Sequence, residues 1–257
     1  MSVENDLRVL IVVAFTGLLV ILRLDAARFG AAEYDDQAAG GGWRAGASRL
    51  AWYAVGLAIA AGIFVVHPTP GATLGLALGS DRVTAVGLGL AFGAAGAGVA
   101  AAFAWLRYGH LRLPPARTYP GAIANALGTA LIDEVAFRGA FMGLLLAAGL
   151  PTTGAIAIQA LVYGLATRLG APGRSHAMLL MSLALAVAAG ATVVATGGIG
   201  AAVVGHGIAR FAIFVCTGHA GQVRPPGEEP EEVAEDRLPP DGWQVADEPT
   251  VPAAQRL

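Results

Sequence analysis

An apolar stretch from about Gly121 to Leu150 carries Asp133, Glu134 and Arg138 at its middle. One ionised side chain at the centre of a bilayer costs about 2.5–3.5 kcal/mol on insertion scales, and more where it stays unpaired. Three of them so close together admit only a fold that turns them away from lipid, into a helix bundle or a wet chamber. On an α-helix Glu134 and Arg138 are i,i+4 neighbours with the acid first, the favourable order for an ion pair. Asp133 lies about 100° round from Glu134 and so reaches a different partner. A buried pair that only locks helix packing would look the same at this level. The other spans must say what these groups meet.

The setting is a membrane. Of 257 residues, 56% are hydrophobic and 13% charged, against about 25% charged in soluble domains. Apolar runs at or near the ~20 residues of a bilayer crossing recur at Val9–Leu22, Leu50–Val66, Val83–Leu106, the central stretch, Ala155–Ala166, Ala177–Val194 and Ile199–Val215. This pattern predicts an all-α, polytopic transmembrane bundle of about seven spans, over residues 1–220. The first span is short, extended by flanking Arg8 and Arg23 that snorkel to the surface. Thr69–Arg82 is a Gly-rich link with the character of an interfacial segment. Gly89 and Gly93, four apart, let another helix backbone come close. His67, His110, His176 and His219 fall near span ends or in loops, where a solvated imidazole is expected.

Arginine placement orients the spans. Among the six connecting loops the odd-numbered ones hold nine Arg and the even-numbered ones hold one, Arg82. The positive-inside rule then puts the odd loops and the C-terminus in the cytoplasm, with the N-terminus outside. Residues 221–257 carry nine acids and seven prolines with few large apolar side chains, a composition expected to stay disordered. The single Cys216 excludes an intrachain disulfide and any multi-Cys metal site. Nothing points to nucleic acid.

Polar residues recur at helical spacing on three spans. Asn125, Thr129 and Asp133 lie at i, i+4 and i+8 on the fourth; Gln159, Tyr163 and Thr167 repeat that spacing on the fifth; His206 and Arg210 are one turn apart on the seventh. The simplest joint reading is one internal polar chamber shared by these spans, with Arg210 as the candidate partner of Asp133. A carboxylate there can act as general base toward water, and an imidazole can orient that water or stabilise an oxyanion. Such parts serve peptide hydrolysis. They also serve proton relay in a carrier, although no internal repeat supports a carrier.

The run Asp133-Glu134-Val135-Ala136-Phe137-Arg138-Gly139 resembles the first signature, Glu-Glu-x-x-x-Arg, of the CPBP family. These are bacterial and archaeal intramembrane proteases related to the eukaryotic CAAX-prenyl endopeptidase. Tyr163-Gly-Leu-Ala-Thr167 and His206-Gly-Ile-Ala-Arg210 stand in the order and spacing of its other two signatures, Phe-x-x-x-His and His-x-x-x-Asn. The resemblance covers about residues 50–217 and implies an integral protein of a prokaryotic cell membrane that cleaves a membrane-associated protein or peptide beside lipid. It further implies that Glu134 and Asp133 activate water, Arg138 holds the acids, and His206 faces the scissile carbonyl. Tyr163, Thr167, Arg210, Asn125 and Thr129 would line the chamber. Asp133, Thr167 and Arg210 depart from the family's Glu, His and Asn. That leaves open a non-enzymatic scaffold that keeps the fold. No cofactor is expected; a zinc ion, if held, would have only Asp133, Glu134 and His206 as ligands, short of a conventional site with Glu134 engaged by Arg138.

Overall fold

The computed structural model of the protein describes residues 3–31, 42–111, 113–114, 116–170 and 176–217, within one compact unit, Met1–Gln222. The first-loop acids Glu33, Asp35 and Asp36, together with Arg174, His219 and the acidic tail, lie outside the described residues. Every regular element among the described residues is helical. In order these are α1 (Val3–Leu24), α2 (Gly42–Val66), the short α3 (Pro70–Thr73), α4 (Arg82–Tyr108) and α5 (Tyr119–Asp133). A π-helical segment (Glu134–Phe141), α6 (Met142–Ala147), α7 (Thr152–Leu169), α8 (His176–Thr196) and α9 (Gly200–Thr217) follow.

α1, α2, α4, α8 and α9 are long and apolar enough to cross a bilayer, and the chain is an integral membrane protein. Two of the seven expected spans fall outside that description. One is the central rod of α5, the π segment and α6, whose apolar run is broken by three charges. The other is α7, diluted by Gln159, Tyr163, Thr167 and Arg168. These two carry the longer polar stripes, and the third stripe, His206 and Arg210, is on α9. The crossing helices turn Leu10, Val65, Val83 and Leu106 outward, as lipid-facing surfaces must.

The central rod is the axis of the bundle. From Ile132 to Ala140 every residue is buried, so the π segment is enclosed on all faces until its last residue, the half-buried Phe141. Helices that are enclosed all round occur only inside a larger packing, here formed with α1, α7 and α9. Close approaches are made by glycine. A Cβ on Gly93 would stand 2.7 Å from Ile208 Cβ, and one on Gly96 2.6 Å from Ala209 Cβ. α9 therefore lies directly on α4, as the Gly89/Gly93 spacing anticipates.

The link between α2 and α4 turns inward. Leu74 and Leu76 are buried against Gly143 and Gly139 of the rod, where a Cβ on Gly143 would come 2.7 Å from Leu74 Cα. The link also joins the α8–α9 turn through Ser80 N–H to the Thr196 carbonyl (2.8 Å) and Ile199 N–H to that of Gly75 (3.0 Å). Asp81 opens α4 by accepting from the Val83 and Thr84 amides at 3.1 and 3.2 Å, an N-cap. The Thr84 hydroxyl and these amides hold its carboxyl below the usual range. His67, expected to be solvated, is instead 6% exposed and accepts from Thr69 N–H at 3.2 Å. Burial pushes its imidazole below the ordinary value.

Candidate active site

The rod delivers two acids and one base to the centre of the bundle from consecutive turns. Asp133 closes α5; Glu134 and Arg138 belong to the π segment, and all three are at most 1% exposed. π geometry, with its i→i+5 bonding, is rare and is frequent at functional sites. Arg138 Nη1 lies 3.3 Å from Glu134 Oε1, so the expected i,i+4 pair forms within the widened turn. The guanidinium also stacks 4.1 Å from the centroid of the Tyr163 ring. Desolvated cation–π contacts of this kind are worth about 2 kcal/mol.

α9 brings the imidazole. His206, 1% exposed, places Nδ1 2.7 Å from Glu134 Oε1, a short charge-assisted bond. Its flanking glycines have separate duties. Gly205 leaves room for Phe92 of α4, and a Cβ on Gly207 would meet Leu127 Cδ2 at 3.0 Å. Those contacts seat α9 between α4 and the rod and aim the ring inward. Tyr163 of α7 completes the cluster. Its hydroxyl stands 3.3 Å from His206 Nε2 and 3.5 Å from Asp133 Oδ2, and its ring packs edge-on against Phe137 and His206.

A sixth group comes from outside the three striped spans. Arg23 at the end of α1 is 3% exposed, with Nε 3.7 Å from Asp133 Oδ1. The sequence expectation that Arg23 snorkels to the surface is therefore overturned. Its last turn is held by Trp52, which donates to the Leu22 carbonyl at 2.8 Å, and by Gly170, whose bare Cα packs on the Arg23 carbonyl. On α1 the buried residues Val12, Thr16, Leu19 and Arg23 recur at steps of four, three and four, one helical stripe. That stripe was the available signal. It is hidden in the sequence because a lipid-facing helix is apolar on its outer side as well.

The remaining predicted residues divide. Asn125 and Thr129 are buried and meet Tyr53 of α2, which the sequence reading did not single out. Asn125 Nδ2 donates to the Tyr53 hydroxyl at 2.6 Å, and Thr129 Oγ1 lies 2.9 Å from it. Gln159 turns away from the stripe it shares with Tyr163 and donates to the Ala186 carbonyl of α8 at 2.8 Å. Thr167 is buried, with a hydroxyl that has no hydrogen-bond partner among the described residues. Arg210 is half-buried one turn beyond His206.

Glu134 Oε2 also has no hydrogen-bond partner among the described residues. A buried carboxylate oxygen without one is a place for water or a substrate donor. For a metal the donors do not fit. Glu134 and His206 face each other, and Asp133 turns to Arg23. Among the described residues no three His, Cys, Asp or Glu side chains are placed to share an ion, short of the three protein ligands of catalytic zinc.

A family model described as Type II CAAX prenyl endopeptidase Rce1-like matches residues 115–212. No curated protein and no solved structure matches the chain significantly. The matched segment holds the rod, α7, α8 and His206, thus every member of the cluster except Arg23. The acid-acid-Arg signature, the order of the helices and the matched segment agree, so residues 115–212 are similar to the Rce1-like, type II CAAX prenyl endopeptidase family.

Proposed function

We propose that the protein is an intramembrane endopeptidase that hydrolyses a peptide bond of a membrane-associated protein, with the Asp133–Glu134–His206 cluster as its active site. The observation that carries this reading is the 2.7 Å contact between Glu134 and His206, two groups far apart in sequence and enclosed at the bundle centre. In this reading Asp133 takes a proton from water. Glu134 orients that water through Oε2, while Arg138 and His206 occupy Oε1. The hydroxide attacks the scissile carbonyl, which His206 faces. Arg23 and Arg138 stand beside the two acids as counter-ions.

In this reading the enzyme lies in a prokaryotic cell membrane, N-terminus outside, with residues 221–257 on the cytoplasmic side. Lipid surrounds the exposed apolar faces. Removing the Glu134 charge tests the chemistry. Purified full-length protein in liposomes, offered a quenched-fluorescent farnesylated peptide ending in a CAAX sequence, should cleave it. Glu134→Gln should lower turnover about 10²–10⁴-fold, the range for general acid–base groups. Equal turnover by a folded Glu134→Gln variant would remove Glu134 from the mechanism.

One observation favours a second reading. Each acid has its own arginine, Arg23 for Asp133 and Arg138 for Glu134, an arrangement that also suits a scaffold locked by buried ion pairs. A scaffold predicts no cleavage by the wild type and a loss of stability alone in Glu134→Gln.

A further inference from the structure

The residues of the cluster leave one chemical need unmet. A proton taken from water by Asp133 must end on the leaving amine, and the hydrogen bonds of the imidazole that faces the peptide go to Glu134 and Tyr163. Thr167, where the resemblance places a second imidazole, offers only a hydroxyl. Between Asp133 and His206 stands Tyr163, whose hydroxyl oxygen is 3.5 Å from Asp133 Oδ2 and 3.3 Å from His206 Nε2. Both distances exceed the ~2.7–2.8 Å of a settled O–H···O bond, so the hydroxyl is shared between two acceptors and committed to neither. Apo catalytic bonds are commonly of this length and tighten when substrate arrives.

The ring is fixed while the hydroxyl is not. Tyr163 is 3% exposed and is clamped by Phe137 and by the Arg138 guanidinium on its face. His206 Nδ1 is engaged by Glu134 Oε1. With the Nδ1 proton directed at that carboxylate, Nε2 is left as an acceptor. The charged and titratable groups around Tyr163 are then Asp133 from α5, Glu134 and Arg138 from the π segment, Arg23 from α1, and His206 and Arg210 from α9.

We propose that Tyr163 is a proton-relay residue of this active site, joining Asp133 to His206 through its hydroxyl. The proposal rests on the endopeptidase reading above. As hydroxide adds to the carbonyl carbon, the water proton passes to Asp133. Protonated Asp133 donates it to the Tyr163 oxygen while the Tyr163 proton moves to His206 Nε2. Tyr163 is left neutral and Asp133 ionised. His206 then gives the Nε2 proton to the amine nitrogen as the C–N bond breaks. Water is consumed, one peptide bond is cleaved, and no group other than the substrate changes its net state.

Tyr163→Phe keeps the ring and its stacking and removes only the relay. The ¹⁵N resonance of His206 Nε2, read at fixed pH in full-length protein in nanodiscs, decides the matter without a substrate. Asp133→Asn should shift that resonance in the Tyr163 protein and leave it in place in the Tyr163→Phe background. An equal shift in both backgrounds overturns the relay. With the farnesylated peptide, Tyr163→Phe should lower kcat about 10²-fold, at the low end for a proton-transfer group, with KM little changed. An unchanged kcat and an unchanged pH profile in Tyr163→Phe would also overturn it. If the wild type cleaves nothing but the resonance coupling is present, the relay stands and the protease reading falls.

Discussion

One oxygen of Glu134 is hydrogen-bonded to His206 and ion-paired with Arg138, and this is where a single substitution should be felt most. Arg138→Ala leaves a carboxylate at 0% exposure without its cation, and breaking a buried pair by removing one member costs about 3–5 kcal/mol. We expect a clear fall in the unfolding midpoint of the detergent-solubilised protein. Arg138→Lys should recover part of it, since a point charge replaces the fork but loses the stacked face over Tyr163. A midpoint unchanged in Arg138→Ala would show that the pair carries no structural load. Asp133, Glu134, Arg138 and His206 were legible in the sequence because a charge in an apolar run has few bland explanations. Arg23 was not, since an arginine at a span end has an ordinary one, and only tertiary packing reveals that α1 ends inside the bundle. Tyr53 was equally hidden, as one aromatic residue in a lipid-length helix.

At the level of the helices, small residues set the distances. Gly93 and Gly96 let α4 lie against Ile208 and Ala209 of α9, close to the residue that aims the imidazole. Gly93→Leu should force α4 and α9 apart, at the 1–3 kcal/mol or more typical of overpacking, and move His206 from Glu134. Loss of the His206 Nδ1 contact, followed by the ring's ¹⁵N shifts, would accompany the stability change; an unmoved ring would separate the α4–α9 seam from the site. The Gly89/Gly93 spacing announced this seam in advance, whereas the π segment was invisible. Its sequence has the apolar and charged order of an α-helix, and nothing in that order marks the wider turn. The Thr69–Arg82 link, read as an interfacial segment, also sends two leucines into gaps left by glycines of the rod, a contact its own residues did not announce.

Over the whole molecule, charge and hydropathy divide the work between insertion and chemistry. The five helices apolar enough to cross a bilayer contribute Arg23 and His206, while the less apolar rod and α7 carry Asp133, Glu134, Arg138 and Tyr163, so hydropathy alone undercounts the helices of the candidate site. A reporter active only in the cytoplasm, fused after Leu257, should be active if the arginine-rich loops orient the chain as proposed, and silent if the bundle is inverted. The place of Arg23 has a further bearing. It lies about ninety residues before the matched segment, yet its guanidinium sits beside Asp133. Residues 115–212 are therefore not a portable module: transplanted alone into another helical host, they would carry the acid and leave its counter-ion behind.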